Sequence, residues 1–558
     1  MILKLDFAKD IAAGLQRQSI VTASEWACKY RKMGGKSFPG DWGFKYHPWL
    51  KDMHDSKAVT NIGMKAAQMG FTEAMLNLVF FQMDMYASDC LYILPSKTPD
   101  ASDFSAARFD SALQLSPHIN NMFSNVKNVG HKKAGSANLY IRGSQSKAGL
   151  RSIPVGFLVI DEMSIINQDA IALVLERLSG QLEKLIWMIS TPTIEDENID
   201  KEFNKSTKEH FNFKCPLCGK YETLDHNESF VITADDITDP NIKNSHYICK
   251  NTKKELPFIV SDDPRINADA KAEWLNTGVW VPDYPDRLNR GFQISQLYSC
   301  TIKPEDLAIA TFKAKTDPTD EQELYNSKYG VTHAVKGAKI TDDILRNVIG
   351  IHSQMDRVPD GLKTMGIDVG NVCNVEIDEW YLERNYTPDY PERAKCKLIL
   401  EDEIDTFAQL DELMGDYGIH YCVIDSQPER RAALAFAHRH YGKVKLCIYA
   451  KGVNGKMIKA LDDDPDFIVT VNKTSWFDVG LGRFKNEIIS LPKDVSTTYK
   501  DQLKAPTRIY ERDADGNPIG RYPKTSKPDH FANSRVYSEI ALNLVMSKGQ
   551  NQDIGIKL

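Results

Sequence analysis

Two α/β domains in series are what this sequence of 558 residues predicts, on three observations. In the first half, short apolar runs alternate with helical stretches, the pattern of a parallel sheet covered by helices. One run leads into a loop reading K-A-A-Q-M-G-F-T from Lys65 to Thr72, and another, 155–160, ends in Asp161-Glu162. After residue 360 a new apolar rhythm lays out three strands, a helix, a strand and a late helix, with Asp368, Asp425 and Asp529 at element ends. The length fits two domains, since single cores stop growing beyond about 250–300 residues.

In the first domain, a strand at 58–64 enters the loop and a helix follows at 72–85. A phosphate loop usually reads G-x-x-x-x-G-K-[ST]: its backbone N–H groups cradle phosphates, its Lys reaches the outer ones and its hydroxyl holds Mg²⁺. Gly70 and Thr72 stand where that pattern expects them, while Phe71 replaces the Lys and Lys65 opens the loop instead. A long ammonium can reach the same phosphates from that end, so Lys65, Ala66, Gln68, Gly70, Phe71 and Thr72 are the expected nucleotide-binding residues. Next come a strand at 90–94 ending at Pro95, a helix at 101–115 and strands at 138–141 and 155–160. The last, apolar and β-branched, delivers Asp161 to the Mg²⁺ shell and Glu162 to the attacking water. A helix at 169–178 precedes a strand at 185–189 that runs into Ser190-Thr191-Pro192, a polar tip suited to sensing the γ-phosphate. Each motif alone is an ordinary turn or helix start. In this order they define a P-loop ATPase of the RecA/ASCE type over 56–335, behind an N-terminal region (1–55) whose aromatic stretch 38–50 is expected near the adenine.

Composition narrows the class. The apolar fraction of 42% and charged fraction of 26% are those of a globular enzyme. The opening M-I-L-K-L-D-F-A-K-D is charged too early for a secretory signal, and no apolar run approaches the roughly 20 residues that span a bilayer. Ten scattered cysteines fit reduced thiols in a cytosol. The net charge of −7 argues against a uniformly basic surface, yet from Ser111 to Ile160 there is no Asp or Glu, while Lys127, Lys132, Lys133, Arg142, Lys147 and Arg151 fall there. Such a run is either a solvated basic face or a surface facing phosphates.

From about 195 to 300 periodicity weakens, which predicts insertions rather than core. Within them Cys215-Pro-Leu-Cys218-Gly is a metal-knuckle sequence, two thiolates two residues apart with a Gly for the turn. A zinc ribbon needs a second pair, but only Cys249 follows, with Thr252 where the next Cys is expected. His246, or His226, could supply a fourth ligand; the alternative is a vestigial ribbon without metal. The expected insertion spans about 211–255, and 336–360 reads as a linker with a short helix.

The second domain, 361–546, begins with strands at 364–369, 374–382 and 397–401, a helix at 405–414, a strand at 420–424 and a helix at 428–440. Lys527-Pro-Asp529-His530 opens a helix running to about 546, Pro and Asp being good local choices at a helix start. That order is the RNase H-like one. Asp368, Asp425 and Asp529 would converge there on two divalent ions, about 4 Å apart, that activate water for phosphodiester cleavage. Asp378 and Asp402 compete for a ligand role. Residues 547–558 form a tail.

These features together resemble the large terminase subunit of tailed bacteriophages, in the lambda-like branch. The resemblance runs through V-T-A-S-E-W-A-C-K-Y-R (21–31), F-P-G-D-W-G-F-K-Y-H-P-W-L (38–50), the relocated Lys65, L-Y-I-L-P-S (91–96), the Asp161-Glu162 pair, S-T-P-T (190–193), the cysteine knuckle, R-G-F-Q-I-S-Q-L-Y-S (290–299) and the three aspartate contexts. It implies an ATP- and Mg²⁺-dependent motor that translocates double-stranded DNA into a procapsid, and a Mg²⁺- or Mn²⁺-dependent endonuclease that cuts concatemeric genomes. It further implies a small terminase subunit and a portal protein as partners, a ring of copies, and the cytoplasm of an infected bacterium. Ser190 and Thr191 would couple hydrolysis to DNA movement, and Arg151, or else Arg142, would be the arginine finger passed between subunits. The rival is a helicase-like DNA translocase, which would need a second motor domain where the acidic-triad pattern lies.

Overall fold

The computed structural model describes residues 22–549, except 36–37, 124–125, 152, 259–263, 358–360, 384, 388, 451–452, 454, 461–465 and 514–515. Most of the expected tail, and the first 21 residues of the N-terminal region, lie outside the described residues. The chain forms two compact units, Met1–His333 and Ala334–Leu558.

The first unit is built on a mostly parallel sheet. Its central strand, β1 (Thr60–Lys65), is buried along nearly its whole length and feeds α1 (Phe71–Tyr86), whose apolar residues sink into the core. The turn between them needs Gly70: its φ is +83°, and a Cβ there would lie 2.9 Å from Leu50 Cδ1. The strands that position the site are β2 (Cys90–Leu94), β3 (Ala137–Gly143), β4 (Phe157–Asp161), β5 (Leu185–Ser190), β6 (Glu209–Lys214), β7 (Val279–Pro282) and β8 (Arg290–Ile294), with short antiparallel strands added at both edges of the sheet. Their order is β6-β8-β1-β5-β4-β2-β3, all parallel, with β7 antiparallel on β6. The strand carrying Ser190 thus lies between the phosphate-loop strand and the acidic strand. Met64 pairs with Ser190 and Asp161 with Ile189, so Lys65, Asp161 and Ser190 emerge at one carboxyl edge, where open α/β sheets bind ligands.

Two expectations change here. The region 195–300 is not only insertion: β8 lies directly beside β1, with Ile294 opposite Lys65. It is only five residues long and carries Arg290 and Gln293, so its burial comes from its neighbours and leaves no periodicity to read. The helix expected at 101–115 is present and begins earlier, at Lys97, but its turns over 97–101 and 104–109 are widened π-type turns and only Asp110–Leu115 closes as regular α-helix.

The second unit carries the antiparallel meander β9 (Leu362–Val369), β10 (Cys373–Leu382) and β11 (Ala394–Ile404), then α2 (Phe407–Asp416), which opens with a Thr406/Gln409 capping box. β12 (Tyr421–Asp425) runs parallel to β9, and α3 (Arg430–Arg439), β13 (Val444–Tyr449) and β14 (Ile468–Val471) continue the sheet. The order β14-β13-β12-β9-β10-β11 puts the first and fourth strands side by side, as the RNase H-like fold requires. α4 (His530–Gly549) packs across β9 so closely that a Cβ on Gly366 would fall 1.9 Å from the Ser534 carbonyl oxygen. Gly366→Ala is therefore expected to cost about 3 kcal/mol of stability in this unit by forcing the helix off the sheet, read as a lowered unfolding midpoint in denaturant.

Under α4, Arg535 bonds Glu376 (2.7 Å), Asp378 and Glu539 (3.0 Å), and Arg483 closes the network on Glu539, every side chain fully buried. Asp378, a competing metal ligand on sequence grounds, is consumed there, with Ser538 also donating to it. The expected linker is no linker. Ile340, Leu345 and Val348 are buried in this unit's core, and Gly350 N–H bonds the Leu491 carbonyl at 2.7 Å.

Candidate functional sites

At the carboxyl edge of the first sheet, Lys65 is 5% exposed and its Nζ lies 3.2 Å from Glu162 Oε1. The Thr72 hydroxyl donates to Asp161 Oδ2 at 3.1 Å, and the Tyr92 hydroxyl to the same oxygen at 2.7 Å. Burial first, and then the neighbouring Glu162 carboxylate, push Asp161 up to about 6. A hydroxyl and a buried, charge-starved carboxylate side by side are the oxygen donors a Mg²⁺ ion takes. Glu162 sits at φ +55°, a strained backbone for a non-glycine residue and one that aims its carboxylate out of the strand line.

The loop is pinned at its base. Ala66 N–H donates to Ile294 O (2.9 Å), Ala67 N–H to Ser327 O (2.7 Å), and Gln296 Nε2 to Ala67 O (2.9 Å). Gln68 takes φ +61°, and Phe71 is buried behind β1. Ser190 is fully buried; its hydroxyl accepts from Ser164 N–H (3.1 Å) and donates to Thr191 O (2.9 Å), while Ser164 Oγ donates to Thr191 O (2.8 Å). The strand tip and the turn after Glu162 are thus one hydrogen-bonded piece. Beside the loop, a cleft of 660 Å³ is lined by Phe38, Trp42, Tyr46 and His47 together with Gln68 and Gly70. Phe38 stacks on Tyr46 at 3.9 Å, and burial holds His47 at about 4, hence neutral. The aromatic stretch meets the phosphate loop there.

Of the two arginines, Arg142 is engaged internally: its guanidinium donates to the carbonyls of Gly130 and Ile141. Arg151 is exposed on the loop before β4. The basic run is not one solvated face, because Lys132 is buried, paired with Asp110 (3.2 Å) and set over the Phe109 ring. The side chains of Lys127 and Lys147 lie outside the described residues.

In the second unit, Asp368 is the last residue but one of β9, Asp425 ends β12 and Asp529 precedes α4. Burial raises Asp425 to about 6, with Asp368 adding to the rise, and Asp368 is itself raised by burial and by Asp529 against the pull of His530. Asp368 thus stands within electrostatic reach of the other two carboxylates. Among the described residues, the three do not close to within 4.8 Å of each other. His530 Nδ1 lies 2.7 Å from Asp368 Oδ2, and Tyr537, two turns further into α4, acts on Asp425 and tempers its rise. Asp402, the other competitor, is exposed and accepts from the N–H of Glu403. In the insertion, Cys215, Cys218 and Cys249 come together with Glu222, and neither histidine joins them. His246 Nδ1 bonds the Asn244 carbonyl (2.9 Å), and His226 stacks on Tyr329.

Sequence reasoning missed Tyr92, Ser164, Gln296, His530, Tyr537 and Glu222. Only His530, adjacent to Asp529 at a helix start, left a local signal; the others meet their partners through the fold.

A P-loop sheet followed by an RNase H-like sheet with aspartates at its strand ends is the fold pair of a protein that joins nucleotide hydrolysis to metal-dependent cutting of nucleic acid. Two family models match in succession: "Phage terminase large subunit gpA, ATPase domain" over residues 36–274 and "Terminase large subunit gpA, endonuclease domain" over 289–552. The chain belongs to the gpA family of phage terminase large subunits. Among solved structures it resembles the large terminase of bacteriophage HK97, at 10% identity and TM-score 0.50 over 93% of this chain and 98% of that one. The large terminase of thermophilic bacteriophage D6E is at 9% identity and TM-score 0.31 (89% and 98% covered). The nuclease of thermophilic phage G20c with bound magnesium is at 18% and 0.21 (35% and 93%). At these identities the likeness to HK97 is one of fold. No curated protein matches.

The protein is accordingly a DNA-packaging motor and endonuclease, working on DNA within a packaging complex and using ATP and a divalent metal. The helicase-like alternative is not favoured, because a nuclease domain stands where a second motor domain would be. Among the described residues, no helix is long and apolar enough to cross a membrane.

Proposed function

We propose that this chain drives packaging of double-stranded phage DNA through the array at the first sheet's edge. Lys65, with the loop residues Ala66, Gln68, Gly70, Phe71 and Thr72, binds the phosphates, and the aromatic cleft takes the base. Asp161 and Thr72 hold Mg²⁺, which supplies neutralisation of the developing phosphate charge. Glu162 orients and deprotonates the water. The Ser190–Thr191 tip, bonded to the turn after Glu162, passes the loss of the γ-phosphate to the rest of the domain. Arg151 is the arginine finger, its exposure leaving it available to a neighbouring copy in a ring. A small terminase subunit and the portal protein are the partners, and the infected bacterial cytoplasm is the setting.

The observation that carries this reading is the contact of Lys65 with Glu162 beside the Thr72–Asp161 pair. A phosphate-binding cation placed at the start of the loop has no reason to face the acidic strand unless both serve one nucleotide. Lys65→Ala is expected to slow ATP hydrolysis about 10²–10³-fold, the usual loss of one charge-stabilising donor, in a steady-state phosphate-release assay. Hydrolysis at the normal rate would show that Lys65 only braces Glu162. In the second unit, Asp368, Asp425 and Asp529 hold Mg²⁺ or Mn²⁺ for cleavage, His530 and Tyr537 positioning the first two. Zinc held by the three cysteines completes the cofactors.

A further inference from the structure

We infer that Glu222 is the fourth ligand of a zinc ion bound by Cys215, Cys218 and Cys249, closing a structural site in the insertion of the ATPase unit. The inference rests on the zinc reading of those cysteines and names the residue that completes it.

The insertion contains two turns with the same backbone. In the first, Cys215 N–H donates to Lys220 O and Gly219 N–H to Cys215 O, both at 2.8 Å, with Gly219 at φ +73°. In the second, Cys249 N–H donates to Lys254 O and Lys253 N–H to Cys249 O, both at 2.9 Å, with Lys253 at φ +57°. The second turn keeps a left-handed residue without the glycine that would make it easy, although Thr252 occupies the place of its second thiolate. The ribbon has therefore kept both halves of its metal cradle and lost one sulfur.

Glu222 stands where the missing ligand is needed. It lies on the short strand Tyr221–Glu222, paired with Phe213 of β6, and is 6% exposed. Its carboxylate and the three sulfurs lie within 4.8 Å of one another, the Cys218 and Cys249 sulfurs being 3.7 Å apart. Oε2 is satisfied by Lys250 N–H (3.0 Å) and Asn251 Nδ2 (3.3 Å), whereas Oε1 is buried without a hydrogen-bond partner. A carboxylate oxygen left idle away from water is costly unless a cation meets it. Thiolates select zinc over magnesium or calcium, and zinc closes structural sites with four ligands drawn from sulfur, nitrogen and carboxylate oxygen.

The test uses the full chain purified without chelators, by elemental analysis and zinc-edge X-ray absorption. The expected result is one zinc per chain with three sulfurs at about 2.3 Å and one oxygen at about 2.0–2.2 Å. Against a chromophoric chelator, Glu222→Gln should weaken zinc retention by at least about tenfold, a loss that even an outer-shell partner's removal can bring, while His246→Ala leaves it unchanged. A wild-type chain without zinc, including one with Cys218 and Cys249 oxidised to a disulfide, overturns both the zinc reading and the ligand set. A shell of three sulfurs and one nitrogen, or wild-type retention in Glu222→Gln, overturns the Glu222 assignment alone.

Discussion

Glu162→Gln is expected to lower ATP turnover by about 10²–10⁴-fold, the range a positioned general base contributes, while nucleotide affinity stays within a few-fold of wild type. The substitution is nearly isosteric, so the strained turn at φ +55° and the contact toward Lys65 survive in outline. What disappears is the group that takes the water's proton. Asp161 keeps its bonds from Thr72 and Tyr92, so the metal-holding side of the site is untouched and binding can be separated from chemistry. Fluorescent-nucleotide titration and single-turnover hydrolysis check the two halves. Encapsidation of DNA into procapsids should fall with hydrolysis, because translocation has no other energy source. A variant that hydrolyses ATP normally would move the base elsewhere along the β4 edge and leave the Lys65–Glu162 pair a purely structural bridge.

What could be read from the sequence, and what could not, divides by whether a residue's role is set locally. Asp161, Asp368 and Asp425 are legible because each ends a continuous apolar run, and a buried parallel strand must stop at a sheet edge. Gly70 is legible because it falls where the phosphate-loop pattern expects a glycine, and it takes the left-handed backbone, φ +83°, that such a turn needs. Arg290–Ile294 was not, since a strand can reach the centre of a sheet through its neighbours' packing alone. The segment 336–360 looked like a linker because its buried residues, Ile340, Leu345 and Val348, are spaced too widely for a periodic signal. Asp378 and Asp402 could be told from Asp368 only by direction. The same strand spacing sends Asp378 into Arg535 under α4, and Asp402 to the surface. Glu222 escaped notice because carboxylates are common, and only a buried oxygen with no partner distinguishes this one.

Asp368→Asn, and separately Asp425→Asn, should lower metal-dependent nicking of plasmid DNA by about 10²-fold or more, as loss of charge stabilisation at a reacting phosphate does, and leave ATP hydrolysis unchanged. The fold should not suffer. Asp425 is raised from 3.8 to about 6, and Asp368 is raised too, by burial and mutual repulsion. A carboxylate whose folded pKa is raised binds its proton more tightly when folded, so it begins to cost stability as pH rises past its unfolded pKa and costs the full amount above the folded one. For Asp425 the cost grows as pH climbs from about 4 to about 6 and is fully present at pH 8 without metal. The Asn variants should therefore melt at or above the wild-type temperature in EDTA at pH 8, and the difference should close as pH falls towards 4. Added Mg²⁺ or Mn²⁺ should raise the melting temperature of the wild type and do little for either variant, since the ions relieve a repulsion the variants no longer have. The nuclease fragment should begin at Ala334 rather than near 361, because residues 340–350 pack into its core and pair with Leu491. Sequence preference in the cuts should be slight, as the chemistry acts on the phosphate. Unchanged cleavage by Asp368→Asn would remove it from the site, and with Asp378 held by Arg535 the next carboxylate to test is Glu403, whose charge helps raise His530.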